Sequence, residues 1–322
     1  MSASVTSTSG PKRSGTDTAG TRATAVDRAA KVPAGGGRSG TVRRRRYVRR
    51  RITKSLWNIL GILVGLVMIF PVYWMVTSSF KTGVNLQRVV PQWFPSPITF
   101  DSYTRAFAQP RFLGSLVNSL VVVGATAVAS LVIGFLAALA LGRMNFRGRK
   151  ALVILVITIQ MVPIEGLIIP MYLMLNKYGL TDSAFGLTLA YLSFVLPFTV
   201  WMLRGFIAAV PVDLEEAALV DGCSRGQAFR KIILPLAAPG LVATTVFAVI
   251  QAWNEYLFAY VLLKQNSKQT ITVWLDTFIT TRGVDWGALM AASTIVALPI
   301  VVLFAIIQRK VAAGITAGAV KG

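Results

Sequence analysis

The stretch P-V-D-L-E-E-A-A-L-V-D-G-C-S-R-G-Q-A-F-R-K-I-I-L-P-L-A-A-P, Pro211 to Pro239, lies between two long apolar segments. Its residues predict two short helices joined by a turn. Asp213 is a suitable N-cap for the first, with Glu216 three residues on to complete a capping box. Glu215 and Glu216 suit the first turn, where the helix dipole favours negative charge. Gly222 fits the left-handed position that follows a helix. Ser224 offers a second N-cap, with Gln227 three residues later. Phe229, Ile232 and Ile233 give the second helix an apolar face. Pro235 is expected to end it, because proline lacks an N–H and disfavours helix in the residue before it.

The rest of the chain explains why such an element needs a membrane setting. Of its 322 residues, 54% are hydrophobic and only 14% charged. Mean hydropathy is +0.63. Apolar runs of about 20 residues, long enough to cross a hydrocarbon core of about 30 Å, recur six times. They predict an all-α polytopic membrane protein with spans near 56–76, 113–141, 151–174, 184–206, 241–263 and 288–308. The flanks 43–54, 142–150, 204–240 and 309–322 together hold 19 Lys and Arg. The alternate loops 77–112, 175–183 and 264–287 hold 8. The excess predicts that both termini, and the 207–240 loop, are cytoplasmic.

Residues 1–55 carry 14 Lys/Arg against 2 Asp/Glu. Their Ser-, Thr- and Gly-rich first 40 positions lack a hydrophobic period and predict a disordered tail. The run Arg43 to Arg51 directly precedes the first span, which suits anionic lipid headgroups better than nucleic acid. Residues 311–322 are expected to form a short cytoplasmic tail.

The absence of histidine removes His-based acid–base chemistry and His metal ligation. The single cysteine, Cys223, excludes an intrachain disulfide and a CxxC metal site. No metal site is expected, and no Walker A sequence is present, so ATP hydrolysis by this chain is not expected. No catalytic constellation is visible. Two acids, Glu165 and Glu255, fall inside predicted spans, where a carboxylate marks a functional hypothesis because its burial is costly. Gln251, Asn254, Glu255 and Phe258 follow helical spacing and would share one face, with Trp253 and Tyr256 beside it. Amides, a carboxylate and aromatic rings suit a sugar, whose hydroxyls need hydrogen-bond partners and whose C–H faces need flat surfaces. Pro163, Pro170 and Pro197 are expected to bend spans three and four.

Glu216-Ala217-Ala218, then Asp221-Gly222, then Ile232-x-Leu234-Pro235 match the EAA signature of ABC-importer permeases in residue type and spacing. Met161-Val162-Pro163, Ile169-Pro170-x-Tyr172, Leu196-Pro197-Phe198 and Trp253-Asn254-Glu255 resemble the carbohydrate-import branch, the maltose-type G-subunit permeases. Cys223 departs from the small alanine usual after the glycine. The resemblance covers about residues 56–310 and implies a type I importer permease in a bacterial plasma membrane. It implies a second permease subunit, an ATP-binding subunit dimer that uses ATP and Mg, and an extracytoplasmic solute-binding protein that delivers the sugar. It also implies that Glu216, Ala217, Ala218, Asp221, Gly222, Ile232, Leu234 and Pro235 form the ATPase-coupling element. Gln251, Trp253, Asn254, Glu255, Phe258 and Glu165 are the candidate pathway residues. A non-sugar ABC importer and a proton-coupled secondary transporter using the two intramembrane acids remain as alternatives. The DNA-binding reading of the helix pair fails, since tethers to two spans would drive a duplex into the membrane.

Overall fold

The computed structural model describes the backbone of residues 39–319 and the side chains of residues 56–308. Residues 1–38, and with them most of the expected tail, lie outside the described residues. Two compact units divide the chain, residues 1–64 and residues 65–322.

Helix α1 covers Ser39–Ser79, α2 Gly83–Leu86, α3 Asp101–Ala108 and α4 Phe112–Arg143. Helix α5 covers Arg149–Ile159, α6 Ile168–Lys177 and α7 Ala184–Ala209. Then follow α8 Val212–Val220, α9 Arg225–Ala228, α10 Leu234–Asn254, α11 Leu257–Leu262 and α12 Ile271–Trp274. A two-stranded antiparallel hairpin, β1 Ile279–Thr280 and β2 Gly283–Val284, precedes α13 Trp286–Ala319. Helix α1 reaches back through the basic run to Ser39, so residue 55 is not a helix boundary. Likewise α13 continues past residue 310.

Among the described residues, five helices are long and apolar enough to cross a membrane: Leu56–Ser79, Phe112–Arg143, Ala184–Ala209, Arg225–Asn254 and Trp286–Gln308. The expected third span, 151–174, is not one straight helix. It is the pair α5 and α6, joined through a 3-10 turn at Ile164–Leu167 and bent by 96°. Pro163 stands at the bend in extended backbone (ψ 124°), and its ring disfavours helix in the residue before it. Pro197, by contrast, sits inside an unbroken α7.

Helices α4, α7 and α10 form the centre of the residue 65–322 unit, with α13 against α10 and α3. The contacts are made by small residues. Ala138, Ala190, Ala237, Ala248 and Ala291 are fully buried, which lets helix backbones approach where lipid offers no hydrophobic drive for association. A Cβ on Gly240 of α10 would lie 2.2 Å from the Phe206 ring of α7, and one on Gly134 of α4 would lie 2.6 Å from Thr199. Hydroxyls inside the helices bond back one turn: Thr188 to Ala184 O, Thr199 to Val195 O and Thr244 to Gly240 O. Each is thereby satisfied without water.

The larger apolar core lies at one end of this unit, where Tyr191 and Trp253 pack with Phe258 of α11, Ile271 and Trp274 of α12, and Phe278. A small second cluster, Ala138, Leu203, Ile207 and Ala237, lies toward the other end, nearer α8. Leu66, Val67, Met68, Ile69, Phe70, Val132, Leu136, Val301 and Val302 are exposed, as lipid-facing side chains are.

Candidate functional site

Two places in the unit break helical geometry next to polar side chains. The first is the connection from α7 to α10. Val210 and Pro211 leave α7 in extended backbone, at ψ 124° and 135°. Pro211 itself is the N-cap of α8, so Asp213 is a first-turn residue and caps nothing through its side chain. The expected Asp213–Glu216 capping box is therefore absent: the proline supplies the non-helical step two residues earlier. Glu216 falls beyond the first turn, whose acids are Asp213 and Glu215.

The end of α8 agrees with the sequence reading. Gly222 is left-handed at φ +85°. Cys223 N–H donates to Ala218 O at 2.9 Å and Gly222 N–H to Leu219 O at 3.1 Å. This pair is a complete Schellman closure of the orphan carbonyls. One residue later Ser224 opens α9 with a full capping box: its Oγ accepts from Gln227 N, and Gln227 Oε1 accepts from Ser224 N at 2.8 Å. Both helix ends are thus fixed by bonds within one short stretch of chain.

Pro235 does not end the second helix. Residues Phe229–Ile233 form a π turn in which Leu234 N–H donates to Phe229 O, and α10 continues directly from it. Proline would ordinarily clash with the carbonyl four residues back. The wider π turn makes room for it, so α9, the π turn and α10 are one rod from Arg225 to Asn254. Ile232 and Leu234 are half-buried in it and Pro235 is exposed. The segment is tied to the bundle by Ala218, Ala228 and Ile233, all buried, and by the Phe135–Phe229 ring contact at 5.7 Å. Arg143, at the end of α4, donates to Val210 O at 2.7 Å and lies 4.0 Å from Glu215. The outer side of α8 leaves Val212, Leu214, Leu219 and Val220 exposed beside Glu216, Ala217 and Asp221.

The second break follows Asn254. Glu255 is extended at ψ 132°, Tyr256 lies at φ −125°, ψ −45°, and α11 starts at Leu257. Glu255 is therefore not inside a helical span. Its carboxylate accepts from the N–H groups of Phe258 (2.7 Å) and Ala259 (3.2 Å), capping α11. Its carbonyl accepts from Thr272 Oγ1 at 2.8 Å, and the neighbouring Tyr256 hydroxyl bonds Asp276. The break also undoes the expected shared face of Gln251, Asn254, Glu255 and Phe258, because helical spacing does not carry across it. Gln251 and Asn254 are exposed, Glu255 is half-buried, and Trp253 and Phe258 are core residues at 4% and 1% exposure. The tryptophan and phenylalanine rings are thus committed to packing within this chain. Glu165 sits in the 3-10 turn of the α5–α6 bend and is exposed, not in a straight span.

Residues that the sequence did not single out complete these places. Tyr191 of α7 has a buried hydroxyl without a good hydrogen-bond partner among the described residues, close to the Glu255 carboxylate. Asp182, left-handed at φ +53°, accepts from Lys264 N and Gln265 N and so ties the start of α7 to the end of α11. Arg143, Thr272 and Asp276 act across 15 or more residues of sequence, so no local pattern marks them. Among the described residues no group of His, Cys, Asp or Glu could hold a metal ion.

Residues 130–317 match the family described as binding-protein-dependent transport system inner membrane component. The chain is 43% identical over 276 residues to the diacetylchitobiose uptake system permease protein DasC of Streptomyces coelicolor, covering 85% of this chain and 100% of that protein. It is 36% identical over 270 residues to the trehalose transport system permease protein SugB of Mycobacterium tuberculosis, covering 83% and 98%. Among solved structures, a bacterial ABC transporter that imports the acidic polysaccharide alginate superposes with a TM-score of 0.67 at 23% identity, over 80% of this chain and 96% of that one.

Proposed function

The chain belongs to the binding-protein-dependent transport system inner membrane component family, and from that premise we propose that it is the permease subunit of an ATP-driven carbohydrate importer. Relatives named for diacetylchitobiose and trehalose, and a fold neighbour that imports alginate, support a sugar or oligosaccharide cargo. The observation that carries the mechanism is the doubly capped α8–α9 turn at the end of the Arg225–Asn254 rod. A membrane connector needs no such stiffness; a docking element does.

In this reading α8 and the turn at Gly222 seat on a partner ATPase subunit, one of a pair that binds and hydrolyses ATP with Mg. Exposed Val212, Leu214 and Val220 supply the apolar contact, Ala217 permits close approach, and Glu216 and Asp221 form its polar rim. A second permease subunit completes the pathway, and a solute-binding protein delivers sugar to the α11 end. The excess of Lys and Arg on the α8 side supports a cytoplasmic position for α8 and both termini. Movement of the ATPase dimer pulls the rod and α7 together, and the break at Glu255–Tyr256 absorbs the displacement. Exposed Gln251 and Asn254 are the amides placed to meet sugar hydroxyls.

The test is Glu216→Lys in the assembled transporter, reading labelled-sugar uptake and ATPase co-purification. Uptake falls more than tenfold while the permease still inserts. Normal uptake with a normal ATPase complement refutes the coupling role. A panel of sugars, amino acids and peptides against the cognate binding protein tests the cargo, and binding confined to peptides or amino acids refutes sugar import.

A further inference from the structure

We propose that the groove between the start of α5 and the end of α7 is a binding site for an anionic phospholipid. This rests on the proposed orientation, in which the groove opens at the cytoplasmic leaflet, because Arg143 ties the adjoining end of α4 to Val210 and Glu215.

The groove has a volume of about 850 Å³, and its lining includes Phe146, Arg149, Lys150, Val153, Ile154 and Arg204. Three lining residues are cationic and none is acidic. None of the three takes part in an ion pair among the described residues, whose pairs are Arg105–Asp285 and Arg143–Glu215. Arg149 is held rigidly: it donates to Leu141 O at 2.8 Å, to Asn145 Oδ1 at 2.9 Å and to Gly142 O at 3.3 Å. Those partners are neutral, so its charge is left uncompensated. Arg204 has a buried Nε with no hydrogen-bond partner among the described residues. That nitrogen is closed off from the groove, but Arg204 itself lines it, so an anion held there would offset its unpaired charge.

The backbone adds to this field. Gly148 is the left-handed N-cap of α5, an 11-residue helix with no acid in its first turn. Its free N–H groups and dipole favour negative charge at the same spot. Behind the cations the wall turns apolar, with Phe146, Val153 and Ile154. A free phosphate would use only the mouth of such a groove. A phospholipid would use both parts, its headgroup among the cations and an acyl chain along α5, which buries none of its own side chains.

The experiment is native mass spectrometry of the assembled transporter, released from detergent with phosphatidylglycerol or phosphatidylcholine added. Wild type retains phosphatidylglycerol in preference. A cation at an anionic membrane surface is worth about fivefold in binding, so Lys150→Gln with Arg204→Gln weakens retention by about 25-fold. Arg88→Gln, an exposed cation outside the groove, leaves it unchanged. Val153→Trp keeps every charge but fills the apolar wall, and should also release the lipid. Equal retention of both lipids by wild type, or equal retention by wild type and double variant, overturns the proposal. Full displacement by millimolar inorganic phosphate, with Val153→Trp indifferent, reassigns the site to free phosphate and overturns it as well. Size-exclusion profiles identify any variant that fails to assemble, in which case each single cation variant is read in its place and the same outcomes decide.

Discussion

The turn at Gly222 and the break at Glu255 both interrupt a helix, yet they are held by opposite means. Every bond that fixes the first comes from residues 217–228: a Schellman closure, a left-handed glycine and a capping box. The second draws on Thr272 and Asp276, 17 and 20 residues along the chain, and on a carboxylate that reaches forward to Phe258 and Ala259. A locally closed turn keeps its shape when the parts around it move. A tertiary break keeps its shape only while the surrounding layer stays in place. The stiff element therefore suits a docking surface, and the dependent one suits a joint.

The sharpest way to break this contrast is Gly222→Val. A Cβ there meets nothing within 4 Å, so the penalty is confined to the left-handed backbone, about 1–2 kcal/mol or more for a branched residue. Uptake is expected to fall more than tenfold while the spans stay inserted. Gly222→Asn, which tolerates this conformation, restores most of it. Equal activity of the Val and Asn variants would remove the turn from the mechanism.

Gly240→Ala comes next. Its Cβ would enter the Phe206 ring, and overpacking of this kind costs about 1–3 kcal/mol. The thermal midpoint in detergent should drop by several degrees, and Phe206→Ala in the same chain should recover part of the loss. Glu255→Ala removes the acceptor for two N–H groups at the start of α11, a loss of about 0.5–2 kcal/mol. Glu255→Gln, with one acceptor oxygen left, should fall between the two. Hydrogen exchange at Phe258 and Ala259 reads this directly, and unchanged protection in the Ala variant would count against the cap.

The smallest effect belongs to the Arg105–Asp285 pair at the start of α13. The hydrogen bond from Arg105 holds the Asp285 carboxyl below its ordinary range, despite some opposing burial. Because the folded value lies below the unfolded one, the contribution is full above about pH 4 and is lost as pH falls through the folded value. Both side chains are exposed, at 46% and 41%, so screening limits the pair to about 1 kcal/mol or less. Asp285→Asn should be slightly less stable than wild type at pH 7, and the two should converge in acid or in about 1 M salt, where the screening length shrinks to about 3 Å. A difference that survives both treatments would contradict the assignment.

The same contrast explains what the sequence could and could not disclose. Gly222, Ser224 and Gln227 were legible because their partners lie within a few positions. Five apolar helices were legible because length and hydropathy alone define them, but the one expected at 241–263 runs instead from Arg225 to Asn254 and stops at the Glu255 break. Asp213 misled because Pro211, two residues earlier, already provides the step out of extended backbone. Pro235 misled because a π turn absorbs its ring, and no residue type marks a π turn in advance. The 96° bend had a visible cause in Pro163, but its angle depends on packing. Glu255 was misplaced because the acceptors and donors that stop α10 come from the α12 layer, which helical periodicity cannot see. Trp253 and Phe258 suit a sugar by residue type, and only their burial shows that they pack instead.

The unbroken run from Arg225 to Asn254 has 30 residues, or about 45 Å at about 1.5 Å per residue. That length converts angle into distance. A tilt of about 5° around the midpoint of such a rod carries each end about 2 Å, in opposite directions. A tilt of a few degrees imposed at the α9 end is then enough to shift Asn254 by a large part of a hydrogen-bond length.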